Sequence, residues 1–286
     1  MVVFTSRKVL FLAAALSATW LGVAADGVAV RPASFYEATF RARVVKGLVL
    51  EDYPQLEDLV PITASRYNNT QVRFAGFNWQ FRETEGGKVV PLPYMSTAPT
   101  ALYHRDWREF VLRFWTPENA GWFAVLPGKG VEIDGVSVRE VEPGDTLNAN
   151  PRFDMSGEYV PGWHLAGAAQ QGKDRKGVSF VVAEEGRVIS DLFPVEPGTD
   201  IKVILRAQHR LIGKTKSRIS ATVYFFGSFA EAGGEKALSG RAATMVRPGK
   251  DGCGSRVYTV PEGKRWARIS ASGGVIYECS AKKGGR

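Results

Sequence analysis

A weak internal repeat constrains this chain more than any other feature. Pro117-Glu118 is followed by Trp122, and Pro261-Glu262 by Trp266, an offset of 144 residues. The same offset carries Gly130-Val131 onto Gly274-Val275 and Ile133-Asp134 onto Tyr277-Glu278. Upstream, Val72 to Phe81 matches Ile219 to Ser228 at an offset of 147, and Tyr36 to Arg43 matches Ile201 to Gln208 at 165. A chain of 286 residues that repeats over most of its length reads as two units of one fold. Each step in the offset marks an insertion, and the first unit carries about 18 additional residues between Val44 and Val72.

The repeated segments have the period of strands. In Tyr36, Ala38, Phe40, Ala42 and Val44 the apolar residues alternate with Glu37, Thr39, Arg41 and Arg43. Ile201, Val203, Leu205 and Ala207 repeat the pattern, and Phe110, Leu112 and Phe114 alternate with Glu109 and Arg113. Period two places one face on a core and the other in water. The 31 Gly and 15 Pro are scattered between these short runs, as turns would be. No sustained helical period follows the first 25 residues. The expected fold is all-β, two tandem β-sandwich units. Unit one spans 26–142 with an insert at 46–70, Glu142-Pro143-Gly144-Asp145 is the linker, and unit two spans 147–283.

Residues 1–25 are a separate object. Arg7 and Lys8 precede an apolar run from Val9, which ends in the small residues Val23-Ala24-Ala25 before Asp26. This is the pattern of a cleaved signal peptide, so the expected location is secreted, periplasmic or at the cell surface. No later stretch is apolar enough to cross a bilayer. Removing Arg7 and Lys8 from the formal charge of +8 leaves +6. The basic residues are dispersed, with dense groups only at 214–218 and 282–286, which gives no nucleic-acid footprint. Cys253 and Cys279 are the only cysteines, and in an exported chain an even pair reads as one disulfide.

Sequence motifs for catalysis are missing. His104, His164 and His209 are not at metal-ligand spacing, and there is no Walker loop or nucleophile elbow. The insert does cluster Glu51, Asp52, Glu57 and Asp58, and paired carboxylates can hydrolyse glycosides. A better signal is aromatic. Along 107–115, Trp107, Glu109, Val111, Arg113 and Trp115 lie opposite the core set. Two Trp and an Arg on a wet face suit a ligand with apolar and hydroxylated surfaces, such as a sugar. Arg73, Phe77 and Trp79 share one face of the next candidate strand, which is either lined for a ligand or part of the inter-sheet core. Trp122 and Trp266 are repeat equivalents, which points to a structural role for both.

Three stretches together resemble the carbohydrate-binding jelly-roll modules of cellulose- and xylan-binding type. They are Leu147-Asn148-Ala149-Asn150-Pro151-Arg152-Phe153-Asp154 with Pro161-Gly162-Trp163, then Val195-Glu196-Pro197-Gly198-Thr199, and the closing run from Trp107 through Pro117-Glu118 to Val131–Val141. The resemblance implies jelly-roll sandwiches, glycan binding, a packing role for Trp163 and a structural calcium near an opening acid and a closing Asp, here Asp134. It also shows that unit one has no counterpart of 147–190. Its sandwich either lacks edge strands, replaces them with the insert, or is covered by unit two or by a partner chain. The expected function is non-catalytic binding of a polysaccharide or other glycan through Trp107, Arg113, Trp115, Trp79, Phe77 and Arg73. The alternatives are a structural or adhesion protein using the same surfaces and a glycan-cleaving enzyme using the acidic insert.

Overall fold

The computed structural model describes residues 27–47, 49, 76–91, 100–102, 104–154, 160–167, 169–208, 218–232 and 245–284. The expected signal peptide, nearly all of the insert with its four acids, and Arg73 lie outside the described residues. The described part is almost wholly β. Unit one contains β1 (Val28–Ala29), β2 (Phe35–Val44), β3 (Gly76–Arg82), β4 (Val89–Val90), β5 (Thr100–Ala101), β6 (Arg108–Trp115), β7 (Trp122–Pro127) and β8 (Val131–Glu140). Unit two contains β9 (Trp163–Gly167), β10 (Gln170–Lys173), β11 (Ser179–Val182), β12 (Gly186–Ser190), β13 (Phe193–Pro194), β14 (Asp200–Gln208), β15 (Ser220–Phe226), β16 (Cys253–Thr259), β17 (Trp266–Ser272) and β18 (Val275–Lys283).

Each unit is a sandwich of two antiparallel sheets, so the chain is two jelly-roll β-sandwiches in tandem. In unit one the sheet β6-β2-β8 faces the sheet β1-β7-β3-β4, with β5 on β3. In unit two β10-β11-β18-β14-β16 faces β13-β17-β12-β9, with β15 on β17. The pairings repeat strand for strand. The order β6-β2-β8 recurs as β16-β14-β18, and β1-β7-β3 recurs as β13-β17-β15. Arg82 pairs with Trp122 as Phe226 pairs with Trp266. This register corrects one sequence match: β3 corresponds to β15 at an offset of 144, not 147. Strands β9 to β12 have no counterpart among the described residues of unit one.

The alternating residues do what their period dictates. Tyr36, Ala38, Phe40, Ala42 and Val44 from β2 meet Phe77, Trp79 and Phe81 from β3 and Phe110, Leu112 and Phe114 from β6 in one buried cluster. Rings interlock there: Phe40 stands edge-on to Phe77 at 5.0 Å, and Phe114 stacks on Phe123 at 4.4 Å. Unit two has its own core, from Phe153, Trp163, Val181, Val188, Ile201, Val203, Leu205, Val223, Ile269 and Ile276 among others. Burying apolar surface on this scale is the main favourable term for each unit.

A third, smaller cluster lies outside the second sheet of unit two. Leu192, Phe226, Phe229, Ala232 and Trp266 bury one another under the turn at Ala230–Ala232. Arg268 is buried there too, donating Nη2 to the Ala232 carbonyl at 2.8 Å beneath a cation–π contact with Phe226. Burial pushes its guanidinium down to about 10.

Candidate functional site

The outer face of β6-β2-β8 is built from the polar half of each alternating strand. Cross-strand partners share a face, so the register sorts its side chains into rows. Glu37 lies between Arg113 and Arg139, Thr39 between Val111 and Ser137, and Arg41 between Glu109 and Asp134. Arg43 opposes Glu132, and Trp107 stands at the edge just before β6. The charges pair. Arg113 Nε donates to Glu37 Oε2 at 2.9 Å, and Arg139 Nη2 donates to Glu37 Oε1 at 2.5 Å. Arg43 donates twice to Glu132 Oε2, at 2.9 and 2.7 Å, and Arg41 pairs with Asp134. The Arg139 hydrogen bond, with Arg113 beside it, holds the Glu37 carboxyl below its ordinary range against the cost of burial.

Trp107 is half-buried at one end of this ladder. The Arg43 guanidinium lies 4.6 Å from its ring centroid and that of Arg41 5.6 Å away. Cation–π contacts of this kind contribute about 0.5–1 kcal/mol at an exposed site. They orient the ring beside donors and acceptors that a hydroxylated ligand could use. Arg113 is exposed on the same face.

The other described residues expected at the site, Phe77, Trp79 and Trp115, lie elsewhere. Phe77 is 1% exposed and Trp79 6%, both in the core of unit one. They alternate with Asn78 and Gln80, so their face is the inter-sheet face, and neither can meet a polymer. Trp115 sits at the junction of the units. Its ring packs on Phe35 at 5.0 Å and on both unit-two clusters, and its Nε1 donates to the Leu147 carbonyl at 2.9 Å. Of the five described residues expected to bind, the wet face therefore holds Trp107 and Arg113. What single-sequence reading missed is the Arg set. Arg41, Arg43 and Arg139 were visible as alternating cations, but their partners became visible only with the register.

The cysteines do not bridge. Cys253 on β16 opposes Arg206, and Cys279 on β18 opposes Leu205, with β14 running between the two strands. Two inter-strand spacings separate them by about 9–10 Å, beyond disulfide reach. They also face opposite ways: Cys279 is buried in the core, Cys253 is exposed, and both are free. Burial pushes the Cys279 thiol up, which leaves it inert.

Asp134, the expected calcium ligand, lies in an ion pair with Arg41. Calcium takes six to eight oxygens, whereas this carboxylate faces the Arg41 guanidinium, and among the described residues no group of three or more His, Cys, Asp or Glu converges. The repeat explains the acid differently. Arg206 and Glu278 pair in unit two, at 3.8 Å, where Arg41 and Asp134 pair in unit one.

Unit two offers a second wet face, on β10-β11-β18-β14-β16. Phe180 and Tyr277 stand together on it, ring centroids 5.9 Å apart. A register shift between Arg206 and Ala207 makes Tyr277 an additional residue in β18, so Tyr277 and Glu278 reach the same face although adjacent in sequence. That break in alternation is why a period-two reading passed over the site.

No protein-family model matches the chain, and no curated protein matches it. Among solved structures it is similar to the N-terminal CBM22-1–CBM22-2 tandem domain of Paenibacillus barcinonensis Xyn10C. The identity is 10%, over 89% of this chain and 80% of that one, with a TM-score of 0.30. It is also similar to the tandem CBM51 modules of the family 98 glycoside hydrolase of Streptococcus pneumoniae SP3-BS71, at 11% identity, 90% and 80% coverage and a TM-score of 0.19. A third similarity, to the enzymatically active domain of bacteriophage CBA120 tailspike protein 4, has 17% identity, covers 50% of this chain and 22% of that one, and has a TM-score of 0.32. These likenesses are distant, and the functional reading rests on the chain's own residues.

Proposed function

We propose that this is an exported, non-catalytic glycan-binding protein, and that unit one binds through the outer face of β6-β2-β8. The observation that carries the reading is Trp107 standing half-exposed beside Arg41, Arg43 and Glu132 on a face whose Arg side chains are paired with carboxylates. A ring supplies the apolar surface that a pyranose stacks on, and the paired Arg and carboxylate groups supply directed donors and acceptors. The proposal of a non-catalytic role has its own physical basis. A glycosidase needs one carboxyl kept protonated near neutral pH, whereas Glu37, the enclosed carboxylate of this face, is held ionised by two Arg. Export rests on the apolar leader; among the described residues no helix is long and apolar enough to cross a membrane.

A structural or adhesive role is the second reading. Its support is the far edge of β8, which has no strand neighbour among the described residues, although β11 covers the equivalent edge of β18. A partner chain would add there. Affinity electrophoresis on gels of neutral polysaccharides separates the two readings. Binding predicts retardation of the wild type and its loss in Trp107→Ala, with unchanged thermal unfolding. No retardation on any polymer would sink it.

A further inference from the structure

We propose that the outer face of β10-β11-β18-β14-β16 is a second binding face, and that it takes an acidic polysaccharide, a sugar chain carrying carboxylate or sulfate groups. The proposal extends the glycan-binding reading to unit two.

The face has a stacking platform at one end. Gly172 opposes Phe180 across β10 and β11, and a Cβ at 172 would stand 2.7 Å from the Phe180 ring tip. The ring therefore lies down over a bare stretch of backbone, which only Gly provides. Tyr277 extends this surface, and Glu278, mostly enclosed, accepts from Ser280 Oγ at 3.1 Å beside it. Gln170 and Gln208 share the next row.

The other end of the face is basic without compensation. Lys202 directly opposes Lys282 across β14 and β18, with the exposed Val257 on the far side of Lys202. Like charges in direct cross-strand register repel and cost stability. Among the described residues neither lysine has an ion-pair partner. The nearby acid, Asp200, accepts from Thr259 Oγ1 at 2.7 Å, and Lys283 pairs instead with Glu196 at 3.7 Å. Arg206 lies between the two ends, largely exposed and only 3.8 Å from Glu278. In unit one every Arg of the equivalent face is closely matched to a carboxylate, so the repulsion is particular to unit two.

An anionic group bound between Lys202 and Lys282 would relieve that repulsion. A ligand that also stacks on Phe180 and Tyr277 must carry its charge about 13 Å away, four regular strand steps along β18. A sugar polymer with repeated acidic groups satisfies both demands, whereas a single small anion satisfies one.

The test is affinity electrophoresis of the full chain on gels of polygalacturonate, chondroitin sulfate, neutral xylan and polyglutamate. The expected result is retardation on polygalacturonate, on chondroitin sulfate or on both, the pattern telling carboxylate from sulfate. The double variant Lys202→Gln/Lys282→Gln, and separately Tyr277→Ala, should weaken it about tenfold, the worth of one charge-assisted contact. Both changes are on the surface, and unchanged thermal unfolding checks the fold. Equal retardation on polyglutamate would mean charge attraction alone and would overturn the proposal. So would retention that the variants do not alter, or no retention on either acidic glycan. Retention on xylan that responds to Trp107→Ala, without retention on acidic polymers, sinks this proposal while the reading of unit one stands.

Discussion

Glu37 is the one buried carboxylate among the described residues. Its enclosure between Arg113 and Arg139 gives the molecule an acid-sensitive point. Its folded pKa lies below the ordinary value of 4.5. Such a group contributes stability in full above its unfolded pKa and loses it as pH falls through the folded value. Glu37→Gln should therefore lower stability by about 1 kcal/mol at pH 7. In thermal unfolding the gap between wild type and variant should close as pH drops below 4.5; a constant gap would assign the loss to packing. At this scale the sequence showed which residues are polar and which strand carries them. It did not show partners. Glu37, Arg113 and Arg139 are dispersed along the chain and meet only because β2 lies between β6 and β8.

Among the elements, β18 shows what the opening motif of unit two is for. Asn148 donates Nδ2 to the Cys279 carbonyl at 3.0 Å and accepts from Ala281 N at 2.7 Å, while Leu147 N reaches the Ala281 carbonyl and Cys279 N the Pro151 carbonyl. The segment 147–151 thus seals the stretch of edge that β11 leaves open, an edge that would otherwise invite pairing with another chain. Asn150 then fixes the following loop, donating to the Asp154 and Pro161 carbonyls, while its own carbonyl accepts from Trp163 Nε1 at 2.7 Å. Asn148→Ala leaves a buried donor and acceptor unpaired and should cost about 2–4 kcal/mol, read from the midpoint of urea unfolding with the slope unchanged. A cost near zero would show that water replaces the amide. The motif was legible as the start of a jelly roll, and the alternating strands were legible as half-buried. Bulges were not, because an inserted residue leaves no mark on composition. Tyr277 was missed for that reason, and the ion pair of Asp134 with Arg41 shows only once β2 and β8 are set side by side.

In the whole molecule, the junction decides whether two sandwiches behave as one. Trp115 packs on both unit-two clusters, and Glu118 Oε1 accepts from Phe229 N at 2.9 Å. Trp115→Ala should cost about 2–4 kcal/mol. It should also split one calorimetric transition into two as the units lose each other's support; a single unshifted transition would show that the units are energetically independent. The repeat made the tandem legible, but the place of Trp115 at the junction was not, because the alternation that puts it outside unit one says nothing about the neighbour there. That dependence runs against the order of synthesis. Domains form from the N-terminus onward, yet the first unit to emerge carries a ring that has Phe35 on one side and needs the second unit on the other. Until Leu147 and the strands beyond it have arrived, the side of Trp115 that unit two covers is left in water. A pause in synthesis between the two units would expose the chain at its least protected moment.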